Sequence, residues 1–345
     1  MKILVIGGGK MGMSHLALLT QYVGKANVAL CDSKRSTRWM FRWLLGYKVY
    51  PTVDIALARM GRPSGVLIAT PTPSHATLAN WAIEHQLPFF IEKPLTLDVK
   101  RSTDLVKKAA DANVPAQVGF VLRYVASFQR LREMVSSGAL GPVKTYTASM
   151  RGNFMMEPPE PGNWQGIFSR GGGCLNEYGP HIIDLCHFIF GEVDRIDSVE
   201  AAKVVCSQAD DRVSVNWTHR DSTQGRLEAD WCDASKRKST IEFLVSFAYA
   251  EVRVDNSAIE IKWSNDAPVT AEQRARFETP VKPFNVGFYL RGEEFSLELE
   301  EFLSICSGQR QHIDGEVPDG IAAGLKDGWE VDRVIDEIAR KAGLK

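Results

Sequence analysis

Residues 2–32 read KILVIGGGKMGMSHLALLTQYVGKANVALCD, and this stretch decides the fold of the first part of the chain. A short apolar run at residues 2–6 is ended by glycines, which is typical of a buried parallel strand. The pattern then predicts a helix over about residues 11–22 and a second strand over residues 27–31. The chain therefore opens with a strand, a glycine turn, a helix and a second strand.

The glycines of this turn form the pattern G-x-G-x-x-G between the first strand and the helix. Without side chains the backbone can turn tightly and approach a pyrophosphate, whose charge then lies on the helix N-terminus. Asp32 closes the second strand, where its carboxylate can accept hydrogen bonds from both hydroxyls of an adenosine ribose. The pattern predicts a nicotinamide-dinucleotide site that contains Gly7, Gly9, Lys10, Met11, Gly12 and Asp32.

Two forms of the cofactor are compatible with these residues. The carboxylate of Asp32 repels a 2′-phosphate, which favours NAD over NADP. Lys34 and Arg35 follow closely and could accommodate the extra phosphate if Asp32 turned aside. The sequence predicts NAD, and NADP stays open as the alternative.

Strand and helix patterns continue to alternate after this opening. Apolar runs predict strands at residues 65–70, 88–92 and 115–120, and the stretches 74–86 and 98–112 predict the helices between them. Strict alternation of this kind predicts an α/β fold with a doubly wound parallel sheet.

After about residue 138 the pattern becomes rich in β-strands. Sequential strands prefer antiparallel pairing, so we expect an α+β domain with a mostly antiparallel sheet. Strands are predicted at residues 143–151, 195–207, 213–218, 225–232, 239–247, 250–254 and 258–263, and helices near 172–190, 293–307 and 322–341.

The length of the chain predicts two domains. A single core usually stops growing at roughly 250 to 300 residues, and this chain has 345. We place a dinucleotide-binding domain at residues 1–122 and a substrate-binding and oligomerisation domain at residues 123–345, and we expect a C-terminal helix to pack back on the first domain.

Composition excludes several classes of partner. Lys and Arg total 41 against 42 for Asp and Glu, which offers no general attraction for nucleic acid or an anionic membrane. The six cysteines form no CxxC pair, so we expect free thiols and no metal site. The apolar run before the glycines is too short for a signal peptide or a membrane span, so we expect a cytoplasmic protein with a small-molecule substrate.

Two further motifs follow the glycine turn. Residues 69–75 read ATPTPSH and lead to EKP at residues 92–94, and residues 171–184 read GGGCLNEYGPHIID. In this order and spacing, the three motifs resemble the Gfo/Idh/MocA family of oxidoreductases, named for glucose-fructose oxidoreductase and inositol dehydrogenase. The resemblance implies an N-terminal Rossmann domain, a C-terminal domain with a large open sheet, a substrate cleft between them, and a homodimer or homotetramer.

Lys93 is the first predicted catalytic residue. It follows a buried strand at the edge where doubly wound folds bind ligands, and Pro94 restricts the chain behind it, so its ammonium can point into the crevice. The resemblance implies that Lys93 hydrogen-bonds the reacting oxygen and helps proton transfer. It also implies cofactor contacts for Thr70, Pro71, His75, Glu92 and Lys93, and capping of a helix is the alternative role of His75.

His181 follows Glu177 by four residues, so on one helix both side chains would project from the same face. An acid there can orient and charge-stabilise an imidazole that acts as a general base. An ordinary i,i+4 pair is the alternative. The family usually has Asp where Glu177 stands, so the longer side chain either reaches the histidine from a different backbone position or contacts the substrate.

Further residues are expected to contact the substrate. The resemblance implies that Arg123 and Tyr124 line the substrate cleft and that Asp184 joins the same network, with an ion pair or a cap as the alternative for Asp184. Trp164 lies in a long Pro-rich and Gly-rich loop and could stack on the apolar side of a sugar ring, or simply anchor the loop.

These residues predict an NAD-dependent dehydrogenase that oxidises a secondary alcohol of a sugar, nucleotide sugar or cyclitol. His181 would remove the hydroxyl proton, Lys93 would stabilise the oxyanion in place of a metal, and Glu177 would hold the imidazole. One alternative is a tightly bound NAD that is recycled during elimination or glycoside cleavage. Another is a noncatalytic dinucleotide sensor, against which the presence of both Lys93 and His181 argues.

Overall fold

Helices and strands alternate in the first part of the chain, and strands dominate the second. The structure, a computed structural model, describes residues 1–280, 286, 290–309 and 320–345. In chain order the helices are α1 (Lys10–Val23), α2 (Arg35–Trp39), α3 (Val53–Met60), α4 (His75–Glu84), α5 (Val99–Asp111), α6 (Ala126–Ser137), α7 (Cys174–Glu177), α8 (Gly179–Phe190), α9 (Ala271–Glu278), α10 (Glu293–Cys306) and α11 (Leu325–Lys341). The strands are β1 (Ile3–Ile6), β2 (Val28–Cys31), β3 (Lys48–Tyr50), β4 (Gly65–Ile68), β5 (Phe89–Glu92), β6 (Ala116–Gly119), β7 (Val143–Arg151), β8 (Val193–Ala202), β9 (Arg212–His219), β10 (Gln224–Asp230), β11 (Thr240–Phe247), β12 (Ala250–Asp255) and β13 (Ile259–Trp263).

The chain divides into two compact units. Unit 1 consists of Met1–Val121 and Asn285–Trp329, and unit 2 consists of Leu122–Phe284 and Glu330–Lys345. The segment that returns to unit 1 late in the chain contains α10, and α11 begins in unit 1 and ends in unit 2. Each unit has its own sheet.

Unit 1 is built on a six-stranded parallel sheet with the strand order β3-β2-β1-β4-β5-β6. Every residue of β1, β2, β4, β5 and β6 is buried, as expected for a parallel sheet in a doubly wound fold. Helix α1 packs on β1 and β2, and α10 packs on α1. The predicted Rossmann fold is confirmed, and the carboxyl ends of its strands form one edge of the sheet.

Unit 2 is built on a seven-stranded sheet with the order β13-β12-β11-β7-β10-β9-β8. Strands β7 and β10 pair in parallel, and the other neighbouring pairs are antiparallel. Buried and partly exposed residues alternate from Val213 to His219, because successive side chains of a strand point to opposite faces. Helix α8 packs on β7 and β10. The predicted mostly antiparallel sheet is confirmed.

Three further observations concern thiols, membranes and metals. All six cysteines are free, and all except Cys306 are buried. Over the described ranges, no helix combines the length and the apolar character that a membrane crossing needs. In the same part of the chain, no three His, Cys, Asp or Glu side chains form a group that could hold a metal ion.

Candidate active site

The glycine turn after β1 holds α1 against the sheet through backbone contacts. Gly7 has a φ of +100°, in the left-handed region that glycine adopts without strain. A Cβ atom on Gly12 would lie 1.8 Å from the carbonyl oxygen of Gly7, so only glycine permits this approach. At Gly9 a Cβ atom would meet nothing within 4 Å. The protein's own packing therefore does not require Gly9, whose missing side chain leaves room for a bound group.

The N-terminus of α1 lies at a cleft that suits a dinucleotide. Lys10 and Met11 begin the helix, and no side chain caps it, so its first amides can donate to phosphate oxygens. The cleft has a volume of about 820 Å³ and is lined by residues that include Gly7–Gly9, Asp32–Lys34 and Ala69–Pro71. Ligand pockets commonly measure roughly 300–1,000 Å³. The residues present therefore fit a nicotinamide dinucleotide.

The carboxylate of Asp32 is held in place at the end of β2. The backbone amide of Gly8 donates to its Oδ2 at 2.7 Å, and the amide of Lys34 donates to its Oδ1 at 2.7 Å. Arg38 donates to the carbonyl oxygen of Asp32 at 2.9 Å. For Asp32 to turn aside for a 2′-phosphate, both amide hydrogen bonds would have to break, which favours NAD.

His75 joins two turns at the carboxyl edge of the sheet. Its Nε2 lies 2.9 Å from the carbonyl oxygen of Thr70, and its Nδ1 lies 3.0 Å from the carbonyl oxygen of Pro94. Burial lowers the pKa of His75, although these two carbonyls oppose that effect. The ring contacts carbonyl oxygens rather than helix amides, so the structure does not show the capping role. It ties the turn of Thr70 and Pro71, which lines the cleft, to the turn after β5.

Glu92 and Lys93 end β5, and Glu92 faces inward. Its Oε1 lies 2.6 Å from Nε2 of His15, a buried residue of α1. Burial alone would raise the pKa of Glu92, but the hydrogen bond and the charge of His15, followed by the charge of Lys93, outweigh burial and lower the pKa overall. Lys93 itself is partly buried. His15 was not predicted from the sequence, where its only signal is a polar side chain on the apolar face of the first helix.

The helix predicted over residues 172–190 is two helices. Helix α7 ends at Glu177, α8 begins at Gly179, and His181 lies in the first turn of α8. Pro180 causes this break because it has no amide hydrogen for a bond to the preceding turn. The expectation that Glu177 and His181 share one continuous helix was therefore wrong, and their relative placement depends on the turn at Tyr178.

Glu177 and His181 are nevertheless accessible. Between residues 171 and 190, every residue is buried except Glu177, His181 and His187. This segment is otherwise core, so partial exposure of an acid and two imidazoles stands out. The general-base role of His181 and the supporting role of Glu177 stay predictions that this exposure favours.

Asp210 holds the glycine turn that precedes Glu177. Its Oδ2 accepts a hydrogen bond from the amide of Leu175 at 2.7 Å, and its carbonyl oxygen accepts one from the amide of Cys174 at 2.9 Å. A Cβ atom on Gly173 would lie 2.3 Å from Oδ1 of Asp210. Burial raises the pKa of Asp210 to about 6. Asp210 was not predicted as a site residue because nothing in the sequence links it to a turn so far upstream.

The neighbouring Asp211 has the opposite environment. Its Oδ2 accepts hydrogen bonds from the amides of residues 204–206 at 2.6 to 2.9 Å, and its Oδ1 accepts one from Nε1 of Trp231 at 2.7 Å. Burial raises its pKa, but these hydrogen bonds outweigh burial and lower the pKa overall. Two adjacent aspartates therefore differ in the direction of their pKa shifts.

The loop with Trp164 is attached to the same glycine turn. The amide of Gly173 donates to the carbonyl oxygen of Gln165 at 3.0 Å, and a Cβ atom on Gly172 would lie 2.3 Å from the carbonyl oxygen of Trp164. The side chain of Trp164 is 43% exposed. An exposed indole on a loop anchored by its backbone is available to stack on a ligand, so the predicted substrate contact is favoured over simple anchoring.

Arg123 and Asp184 contact each other. Nε of Arg123 lies 2.9 Å from Oδ2 of Asp184, and Nη2 lies 2.6 Å from Oδ1, which is a bidentate ion pair. Both side chains are buried, and so is Tyr124. The ion pair is the alternative role that the sequence left open for Asp184. Substrate contacts by Arg123, Tyr124 and Asp184 stay predictions.

Comparison with known proteins identifies two matching regions, one in the N-terminal part of the chain and one in the middle. Residues 1–120 match a family model described as "Oxidoreductase family, NAD-binding Rossmann fold", and residues 128–250 match one described as "GFO/IDH/MocA C-terminal domain". The first match confirms the predicted NAD-binding domain.

Individual relatives extend this likeness. Inositol 2-dehydrogenase 1 of Mycolicibacterium vanbaalenii is 26% identical over 58% of this chain, and the matched part spans 56% of that relative's length. Inositol 2-dehydrogenase of Rhizobium meliloti is 24% identical over 92% of each chain. The structure of levoglucosan dehydrogenase in complex with NADH superposes with a TM-score of 0.81 at 19% identity, over 99% of this chain and 97% of that one. The structural likeness shows that the fold is shared.

The paired aspartates lead to a prediction about stability. Between its ordinary pKa and about 6, folded Asp210 keeps a proton that the unfolded chain releases. The free energy of unfolding should therefore fall as pH rises through this range, and Asp210→Asn should remove that loss. We expect urea denaturation to show the variant gaining roughly 2–3 kcal/mol relative to wild type between pH 4 and pH 7.

Asp211→Asn is the matched control. Its carboxylate has a lowered pKa, so it stabilises the fold above its ordinary pKa, and this stabilisation is lost as pH falls. This variant should lose stability relative to wild type as pH rises. The same pH dependence for both variants would contradict the assignment.

Proposed function

Because the chain belongs to the Gfo/Idh/MocA family of oxidoreductases, we propose that it transfers a hydride between a secondary alcohol of a small polyol or sugar and NAD. The observation that carries the proposal is the position of Lys93. It follows the buried Glu92 at the carboxyl edge of the Rossmann sheet, and His75 ties its turn to Thr70, which lines the dinucleotide cleft. A cation at this edge is suited to a reacting oxygen.

Each candidate residue has a chemical task in this proposal. Lys93 donates a hydrogen bond to the reacting oxygen and stabilises the negative charge that develops there. His181 accepts the hydroxyl proton as a general base. Glu177 orients the imidazole or contacts the substrate directly. NAD, when bound, accepts the hydride from the substrate carbon.

The substrate class rests on the exposed indole and on the relatives. Trp164 offers a flat apolar surface to the apolar side of a ring with several hydroxyls. The relatives are named for inositol and levoglucosan, and both names support a polyol or sugar substrate. The proposed class of substrates includes nucleotide sugars. A homodimer or homotetramer and a cytoplasmic location stay predictions.

A screen of substrates tests the reaction class. We expect one or more sugars, sugar nucleotides or inositols to give steady-state reduction of NAD, measured by the absorbance of the reduced nicotinamide. Product formation without any absorbance change would instead indicate a recycled cofactor. A panel on which nothing turns over would refute the dehydrogenase proposal.

Replacement of Lys93 tests its role. Lys93→Ala should lower kcat by about 10²–10⁴ because it removes the charge at the reacting oxygen. Binding of NAD, measured by titration calorimetry, should stay within a few fold of wild type, and Lys93→Arg should recover part of the rate because it keeps a positive charge. Normal turnover by Lys93→Ala would show that the assignment is wrong.

Asp32 tests the choice of cofactor. Asp32→Ser removes the carboxylate that repels a 2′-phosphate and leaves Lys34 and Arg35 in place. The ratio of kcat/KM for NADP to kcat/KM for NAD should rise by about tenfold or more, which corresponds to at least about 1.4 kcal/mol. Arg59→Ser, on the surface helix α3, is a control that should leave the ratio unchanged. An unchanged ratio in Asp32→Ser would contradict the proposed role of Asp32.

A further inference from the structure

Both chain neighbours of Lys93 are held by buried histidines. Glu92 contacts His15 at 2.6 Å, and the carbonyl oxygen of Pro94 lies 3.0 Å from His75. His15 and His75 are 0% and 1% exposed. His15 lies on α1, the helix whose N-terminus forms the dinucleotide cleft, and His75 begins α4. The Lys93 turn is thus attached to two helices of the cofactor site.

The environment of His15 indicates which ring nitrogen donates to Glu92. Its ring packs against Phe90 and Phe295, with centroid distances of 5.3 and 6.4 Å. Its Nε2 contacts Glu92, whereas its Nδ1 is buried and has no hydrogen-bond partner in the described part of the chain. A proton on Nδ1 would therefore be a buried donor without an acceptor, which costs free energy. Nε2 is therefore the nitrogen that donates to the Glu92 carboxylate.

The Glu92 carboxylate interacts with the charge of Lys93 as well as with His15. Burial raises the pKa of Glu92, and the hydrogen bond and charge of His15, followed by the charge of Lys93, lower it. The fold leaves space for that carboxylate, since a Cβ atom on Gly119 would lie 3.2 Å from Oε2 of Glu92. The groups with charge or titratable protons around Glu92 are His15 from α1, His75 from α4 and Lys93 itself. Replacing a buried polar pair by apolar residues is often neutral or stabilising, so stability alone does not account for the pair.

We propose that His15 and Glu92 are positioning residues for Lys93: His15 fixes the Glu92 carboxylate, which in turn holds the Lys93 side chain in place for the reaction. The inference rests on the catalytic role of Lys93 in the proposed function. It assigns Glu92 an electrostatic task within the protein in addition to the cofactor contact implied by the resemblance. It also links the cofactor helix to the reacting cation through one side chain.

The reactivity of the Lys93 amine tests this inference without substrate. Acetic anhydride reacts with a neutral amine and not with an ammonium. The extent of limited labelling of Lys93 at a fixed neutral pH, measured by peptide mass spectrometry, therefore reports how strongly the surroundings of Lys93 favour the ammonium form. The exposed Lys107 of the same unit is the internal reference. Glu92→Gln should increase labelling of Lys93 about tenfold relative to Lys107, because an opposite charge is lost. Labelling at the wild-type rate would overturn the proposal.

Two substitutions of His15 give an independent test. His15→Gln keeps an amide donor for Glu92, whereas His15→Leu fills the space without a donor. We expect wild-type labelling of Lys93 in His15→Gln and faster labelling in His15→Leu, with kcat following the same order and KM changing less. Equal labelling in the two variants would contradict the proposal even if Glu92→Gln fails to fold.

Asp98→Asn is the control for removing a nearby carboxylate. Asp98 caps α5 through the amide of Lys100, at 2.9 Å, and contacts neither His15 nor Glu92. Labelling of Lys93 should be unchanged in this variant, and an increase like that in Glu92→Gln would refute a specific role of Glu92. Labelling requires no turnover, so it tests the role of His15 and Glu92 even if the protein has no activity. A protein inactive on every polyol and sugar would refute the proposed function but would leave the labelling result valid.

Discussion

The close approach of Gly12 to the carbonyl oxygen of Gly7 is the contact on which the candidate site of unit 1 depends. It places α1 directly against the turn after β1, so that the first amides of the helix lie at the dinucleotide cleft. One turn further along the same helix, His15 reaches Glu92. A larger residue at position 12 would move the helix and thereby disturb both the cofactor end and the Lys93 end of the site.

A buried carboxylate plays a comparable structural part in each unit. Glu92 supports the turn of Lys93 and receives a hydrogen bond from His15, which offsets the cost of its burial. Asp210 supports the turn before Glu177, and burial raises its pKa because only part of its hydrogen-bonding capacity is used. In both units a buried carboxylate thus supports a turn that lies next to a candidate side chain.

Much of this arrangement could be predicted from local sequence patterns. The glycine turn, β1, β5 and the strands of the second sheet follow from apolar runs and alternation, and β7 was predicted with its observed bounds. Strand β3 and helix α3 were not predicted, because three and eight residues are too short to show a period. The sequence contains a signal for the break at Tyr178, because Pro180 disfavours a continuous helix. The expectation of one helix over residues 172–190 did not take Pro180 into account.

Other parts of the site depend on contacts between residues distant in sequence. His15 and Glu92 are 77 positions apart, and Asp210 lies 35 positions after Leu175. No spacing rule links such pairs, because tertiary folding alone brings them together. The same reasoning explains the pairing of Arg123 with Asp184 across 61 positions. The sequence shows that Arg123 and Asp184 are charged residues, but it does not show that they pair with each other.

The attachment of the Trp164 loop explains why the reaction class is easier to infer than the substrate. The loop is anchored by a hydrogen bond between backbone groups, from the amide of Gly173 to the carbonyl of Gln165. Such a bond does not depend on the side chain at position 165, so the loop can change its surface while the turn before Glu177 keeps its shape. Residues proposed for chemistry and residues proposed for recognition are thus constrained separately, and a motif that identifies the former leaves the latter open.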